Sequence, residues 1–193
     1  MEKNWIVKNF SPQAFALSKK YDINPILVQL LINRNIKEEE FLSFLNPRVD
    51  NLFSPFLLPD IDKAIERIRK AIERKERVYI LGDYDVDGIT SLVIFYEYIK
   101  NFPLQFSFYI PHRIHEGYGL TKKVLEKVKN DGATLLICFD CGTNSYQEAQ
   151  LAKALGIDVI VIDHHAPREG LNDDFYAFIN PKKKGVDYPF KEL

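Results

Sequence analysis

The stretch Arg77-Val-Tyr-Ile-Leu-Gly-Asp-Tyr-Asp-Val-Asp-Gly-Ile-Thr-Ser91 decides how this chain folds. It opens as a short apolar run, breaks at Gly82, sets Asp83, Asp85 and Asp87 on alternate positions, and turns at Gly88 into an apolar helical pattern. Three carboxylates this close repel one another and cost stability unless a cation or a proton offsets them. A strand-to-helix turn that keeps all three is expected to hold metal.

Working outward, apolar strands alternate with helical patterns. Residues 78–81, 104–110, 134–139 and 158–162 read as strands, with 175–179 as one more. Residues 89–100, 122–129 and 146–155 read as the helices between them. Upstream, 60–76 is an amphipathic helix with Ile61, Ala64, Ile65, Ile68, Ala71 and Ile72 on one face. Its Lys/Arg-rich face is expected to be solvated. Such βαβ alternation predicts an α/β fold: a doubly wound, mostly parallel sheet flanked by helices.

Residues 1–58 lack strand alternation and read as a small N-terminal helical appendage, with 59–193 as the main domain. Ser11-Pro12 and Asn24-Pro25 each open a helical pattern, and 37–45 is a third. The Pro-rich loop carrying Leu52, Phe53, Phe56, Leu57 and Leu58 is expected to pack on the domain that follows, with Trp5 and Phe10 as docking residues.

The 193 residues are 46% hydrophobic and 27% charged with a formal net charge of −1, so no overall basic character marks a nucleic-acid binder. Cys138 and Cys141 form one C-x-x-C spacing with no second pair to complete a zinc site, and are expected to be unpaired thiols. No apolar run matches a membrane span or a signal peptide, which leads to an expectation of a cytoplasmic protein without membrane association.

The polar clusters share a position. In parallel sheets ligands bind beyond the carboxyl ends of the strands. The first strand ends in 82–87, the third in Asp140-Cys-Gly-Thr-Asn144, the fourth in Asp163-His164-His165, and the second is followed by a loop with His112, Arg113, His115 and Glu116. The D-x-D-x-D-G string resembles the start of a calcium loop, but Ile-Thr-Ser follows its glycine where further ligands are needed. Asp140 alone also fits a helix cap before Tyr146. Consecutive histidines in an extended backbone point to opposite sides, so His164 and His165 are expected to do different jobs. Mixed carboxylate and imidazole ligands suit Mn²⁺, Mg²⁺, Fe²⁺ or Zn²⁺, and shared carboxylates suit a pair of ions acting at phosphorus. The helix N-terminus at Gly88, Thr90 and Ser91 offers donors for phosphate, and Arg113 offers a bidentate grip. Lys182-Lys183-Lys184 reads as a solvated run, and there is no P-loop signature.

Segments 83–91, 111–119, 140–144 and 163–167 resemble, in order, the first four motifs of the DHH phosphoesterase superfamily. The long second motif and the final Tyr188-Pro-Phe-Lys-Glu-Leu193 resemble its RecJ branch. The resemblance implies an exonuclease specific for single-stranded DNA, digesting from the 5′ end with Mn²⁺ or Mg²⁺ in DNA repair and recombination. It implies Asp85, Asp87, Asp140 and His164 as metal ligands, Asp83 as a further ligand or its partner, and Asp163 and His165 as residues that orient ligands and contact the scissile phosphate. Arg113 would lie near the nucleic-acid path. Partners implied with single-stranded DNA are a single-stranded-DNA-binding protein and a recombination helicase. Members of the branch continue into a further metal-binding Asp and a second domain, so this chain is expected to be an incomplete DHH domain, weakly active or inactive by itself. Two alternatives stay open: a phosphodiesterase for oligonucleotides or cyclic dinucleotides, and a non-catalytic replication scaffold.

Overall fold

The structure, a computed structural model, describes residues 4, 6–112, 116–168 and 174–191. The chain forms two compact units, Met1–Leu52 and Phe53–Leu193.

The first unit is helical. α1 (Pro12–Tyr21) starts at Ser11, whose Oγ accepts from the Gln13 N–H, and α2 (Pro25–Asn33) starts at Asn24, whose side chain accepts from the Ile26 N–H. A proline at the first helical position of each loses no hydrogen bond, because that N–H has no partner inside a helix. A turn at Glu38–Glu40 leads into the short α3 (Phe41–Leu45). Ala14, Leu17, Val28, Leu31 and Phe41 form the core of this unit. Phe15 instead lies exposed against Phe10, with ring centroids 4.8 Å apart. Trp5 lies outside the described residues.

The second unit begins with α4 (Ile61–Glu73) and then alternates: β1 (Arg77–Gly82), α5 (Val86–Ile99), β2 (Gln105–Tyr109), α6 (Lys122–Asn130), β3 (Leu135–Phe139), α7 (Tyr146–Ala154), β4 (Asp158–Ile162) and β5 (Ala177–Ile179). The five strands form one sheet of order β2-β1-β3-β4-β5, and every pairing is parallel. The doubly wound α/β architecture is as expected, and the sheet is wholly parallel. Strand periodicity divides the core in two. Val78, Ile80, Leu135, Ile137 and Ile160 face Ala64, Ala71, Leu92 and Ile99 of α4 and α5. Tyr79, Leu81, Leu136, Cys138, Val159 and Val161 face Leu125, Val128, Ala149 and Ala152 of α6 and α7. Each fully buried Leu or Ile contributes roughly 1.5–3 kcal/mol, so two dry faces make the sheet a rigid platform.

The Lys/Arg-rich face of α4 is open to solvent at Lys63 and Arg69, as expected, but Arg67 is not part of it. Its spacing from Ala64 and Ala71 turns it inward, where it is 6% exposed and pairs with Glu76 at 2.7 Å and Asp158 at 2.6 Å. The apolar loop packs on the second unit in part: Leu58 joins the sheet core and the Phe53 ring meets that of Tyr188 with centroids 6.1 Å apart, while Leu52, Phe56 and Leu57 remain exposed. Among the described residues no helix is long and apolar enough to cross a membrane.

Candidate metal centre

The parallel register carries three aspartates into one row. Gly82 is paired with Phe139, Phe139 with Ile162, and Ile162 with Ile179. One residue further on, the Asp83 N–H donates to the Phe139 carbonyl, the Asp140 N–H to that of Ile162, and the Asp163 N–H to that of Ile179. Asp83, Asp140 and Asp163 therefore stand side by side at the carboxyl edge, at the switch point between β1 and β3 where chain direction across the sheet reverses.

α5 begins earlier than its apolar pattern indicates. Its first residue is Val86, because Asp85 caps it: Asp85 Oδ1 accepts the N–H groups of Asp87 (3.0 Å) and Gly88 (3.1 Å). Gly88 permits this start. A Cβ there would lie 2.5 Å from both N and O of Asp83, so only glycine lets the helix end approach the first aspartate. Asp140 adopts φ 58°, a left-handed conformation that costs most side chains about 1–2 kcal/mol and that aspartate tolerates better than most. Gly142 follows at φ 105°, where a Cβ would meet Val161 Cγ2 at 3.0 Å.

Two groups of metal-ligating atoms result, each with members within 4.8 Å of one another. One is Asp83, Asp85 and Asp140; the other is Asp140, Asp163, His164 and His165. Asp140 belongs to both. Asp83 and Asp140 are 3% and 6% exposed, and Asp83 Oδ1 and both Asp140 oxygens have no hydrogen-bond donor. His164 Nε2 stands 3.0 Å from Asp140 Oδ1, close enough for an ion pair but without the alignment of a hydrogen bond. Burial, followed by the neighbouring Asp85 carboxylate, pushes the Asp140 carboxyl up to about 6, and burial likewise raises Asp83. Two full charges no more than 4.8 Å apart at an effective dielectric near 20 repel by at least roughly 3.5 kcal/mol. Buried, crowded carboxylates with no donors are a donor set that a divalent cation satisfies and that packing alone leaves unsatisfied.

Asp163 is the opposite case. Its Oδ1 accepts the N–H groups of His164 (2.7 Å) and His165 (3.1 Å) and the His165 Nδ1 proton (2.7 Å), and its Oδ2 accepts the Thr143 N–H (3.0 Å). Burial alone would raise this carboxyl, but the bonds from Thr143 and His165 outweigh it and hold it below the usual range. The same bonds correct the expectation for the histidines. Because Asp163 gathers both N–H groups, the backbone bends and is not extended, so both rings lie toward Asp140: His164 Nε2 at 3.0 Å and His165 Nδ1 at 3.8 Å.

The remaining expected residues are placed differently. Asp87, on the first turn of α5, is exposed and outside both groups. The Gly88 N–H is engaged by Asp85, the Thr90 hydroxyl donates to the Val86 carbonyl at 2.6 Å, and Ser91 is half-buried, so the donors expected for phosphate are largely used within α5. Arg113 lies outside the described residues. Asp140 does not cap α7, whose N-cap is Ser145. Cys138 and Cys141 are free and buried.

Tyr118 was not singled out by the sequence, yet its hydroxyl donates to the Asp140 carbonyl at 3.2 Å and lies 3.4 Å from His165 Nδ1. It borders a cavity of about 300 Å³ lined also by Gly142, Thr143, Asn144, Ser145, Asp163 and His165. Its flanking glycines, Gly117 and Gly119, mark a chain reversal in the sequence, but nothing local indicates where the ring points.

Fold and site together define a doubly wound α/β protein with a carboxylate–imidazole centre at its topological switch point. The chain belongs to the DHH family: residues 77–187 match the DHH family, N-terminal domain. It is 37% identical over 179 residues to the single-stranded-DNA-specific exonuclease RecJ of Bacillus subtilis, covering 92% of this chain and 23% of that protein. It is 30% identical over 173 residues to the protein of the same description from Escherichia coli, covering 89% of this chain and 29% of that protein. A crystal structure of exonuclease RecJ bound to manganese superposes with a TM-score of 0.63 at 25% identity, over 71% of this chain and 35% of that one. RecJ from Thermus thermophilus in complex with Mn²⁺ shares the fold, with a TM-score of 0.61 at 20% identity, over 91% of this chain and 24% of that one. The resemblance to the RecJ branch is borne out, and the chain spans about a quarter of the length of these curated relatives, 23% and 29%.

Proposed function

We propose that this chain supplies the metal-binding wall of a phosphodiesterase site that removes nucleotides from the 5′ end of single-stranded DNA, with Mn²⁺ or Mg²⁺ as cofactor. The observation that carries the proposal is the buried Asp83–Asp140 pair, in which Asp83 Oδ1 and both Asp140 oxygens lack donors while Asp85 and His164 converge on Asp140. Asp83, Asp85, Asp140 and His164 would hold the metal, with Asp140 shared between two ions and Asp87 turning in from the first turn of α5 as a further carboxylate. Divalent ions in such a site lower the pKa of a bound water and neutralise charge on the phosphate. Asp163 accepts the Nδ1 proton of His165 and favours the protonated ring, which can then donate its Nε2–H to a phosphate oxygen. Phosphate contact is assigned to His165 and the cavity beside it. The donors of α5 contribute less, because Gly88 and Thr90 already have partners within the helix.

Support for a single-stranded DNA substrate comes from the relatives, which are described as single-stranded-DNA-specific exonucleases. Residues 59–193 act in this proposal as the DHH phosphoesterase domain, with 1–58 as a helical appendage and Arg113 on the nucleic-acid path. A single-stranded-DNA-binding protein and a recombination helicase are the proposed protein partners, on the strength of the RecJ resemblance. Two free buried thiols fit a reducing cytoplasm.

The test uses the 193-residue chain and its Asp140→Asn variant. Mn²⁺ binding is followed by electron paramagnetic resonance, and nucleotide release from 5′-labelled single-stranded and duplex DNA is followed by gel. The wild type is expected to bind Mn²⁺ and to favour the single strand, and Asp140→Asn to lose the bound-Mn²⁺ signal. Undiminished Mn²⁺ binding by Asp140→Asn would sink the proposal.

A further inference from the structure

The polar row at the sheet edge has a fourth member. Ile162 is paired with Ile179, so the residue after Ile179 stands beside Asp163 as Asp163 stands beside Asp140. That residue is Asn180, fully buried at 0% exposure. Its amide is used completely. Nδ2 donates to Thr143 Oγ1 at 2.9 Å and to the His165 carbonyl at 3.0 Å, and Oδ1 accepts the Lys182 N–H at 2.8 Å. A backbone carbonyl only accepts and a backbone N–H only donates, so the amide has one satisfactory orientation.

The bond to Thr143 carries further. The Thr143 side-chain oxygen accepts from Asn180, which fixes the residue whose backbone N–H donates to Asp163 Oδ2 at 3.0 Å. Asp163 in turn accepts the His165 Nδ1 proton. Asn180 thus reaches His165 twice: along the relay Asn180–Thr143–Asp163–imidazole, and directly through the His165 carbonyl. Thr143 is 1% exposed and Asp163 6%, so water does not compete for these bonds. The two routes hold the loops after β3 and β4 to the end of β5 and constrain both the backbone and the ring of one residue.

We propose that Asn180 is a positioning residue for His165, acting through Thr143 and the His165 carbonyl without touching the substrate. The proposal rests on the phosphodiesterase function above for its kinetic consequence, and on geometry alone for its effect on the imidazole.

Asn180→Leu keeps the volume and removes both donors. Groups one step behind a functional side chain typically change activity by about 10–100-fold when removed. The expected result is a kcat lower by about 10–100-fold, with KM for single-stranded DNA and Mn²⁺ affinity within about twofold of wild type. In the metal-free, ¹⁵N-labelled chain the downfield His165 Nδ1–H resonance is expected to be lost to exchange with water. Thr143→Val should behave in the same way, and Thr143→Ser, which retains the hydroxyl, should recover at least about tenfold of the Thr143→Val loss.

A folded Asn180→Leu chain with wild-type kcat and an unchanged His165 resonance overturns the proposal. If Asn180→Leu does not fold, the Thr143 pair decides: equal losses in the valine and serine variants overturn it, and recovery by serine supports it. Should the wild-type chain neither bind Mn²⁺ nor cleave DNA, the phosphodiesterase assignment fails separately. The resonance then decides for Asn180, and its persistence in Asn180→Leu refutes the positioning role.

Discussion

Replacing Gly88 by alanine separates two opposing effects by sign. Glycine inside a helix is ordinarily a liability, and Gly→Ala there stabilises by roughly 0.5–1 kcal/mol. At this position the added Cβ would lie 2.5 Å from Asp83 N, 2.5 Å from Asp83 O and 2.7 Å from Asp83 Cα, where ordinary contact begins at 3.4 Å. All three neighbours are backbone, and Asp83 is held to the sheet by its N–H bond to the Phe139 carbonyl, so no side-chain rotation gives relief. The end of α5 must move away by nearly 1 Å. Overpacking of this kind costs about 1–3 kcal/mol, which outweighs the helix gain and leaves a net loss of about 1–2 kcal/mol. With a urea slope of about 1–3 kcal/mol per molar for a domain of this size, the unfolding midpoint should fall by roughly 0.5–1 M. The same movement separates Asp85, bonded to the Gly88 N–H, from Asp83, so Mn²⁺ affinity should fall together with stability. A Gly88→Ala chain as stable as wild type, with the same Mn²⁺ affinity, would refute the account of how the helix start builds the site.

Two further predictions concern the ion pairs beneath α4. Arg67→Met should destabilise the second unit by about 3–5 kcal/mol in urea titration, because it leaves Glu76, whose side chain is 14% exposed, without its buried partner; the double variant with Glu76→Gln should regain part of the loss. For Glu76 itself, burial acts to raise the carboxyl, but the bonds from Thr134 and Arg67 prevail and hold it below its ordinary 4.5. In that window the unfolded chain binds more protons than the folded one, so the Glu76 contribution is present above about pH 4.5 and fades as pH falls further. Melting temperatures from about pH 6 to pH 3 should drop less steeply in Glu76→Gln than in wild type, and parallel curves would contradict the assignment.

Much of the site was legible because strand and helix periods are local properties. An apolar run ending in a polar residue marks where a strand leaves the core, and in an all-parallel sheet those endings share one edge. Hence Asp83, Asp140 and Asp163-His164-His165 could be gathered at that edge from order and spacing alone. Arg67 is charged, yet its position at i+3 from Ala64 already places it on the inward face. The histidine pair departs from extended geometry because Asp163 binds two successive N–H groups and bends the chain, which strand periodicity does not reveal. Asn180 stands in no recognised motif, and Thr143 lies within the 140–144 motif without being a charged ligand type, so only their hydrogen bonds show what they do.

The sequence by itself determined the elements, the parallel doubly wound class, the strand endings that carry chemistry, and membership of the DHH family. The tertiary structure decided the strand order β2-β1-β3-β4-β5 and the register, and through them which polar ends become neighbours. Hydrogen bonding between strands far apart in the chain sets that alignment, and helix packing on both faces holds it. Asp83, Asp140, Asp163 and Asn180 each look like an ordinary loop residue in isolation. Side by side, two of them lack partners that a cation can supply, and the other two hold the imidazole beside them.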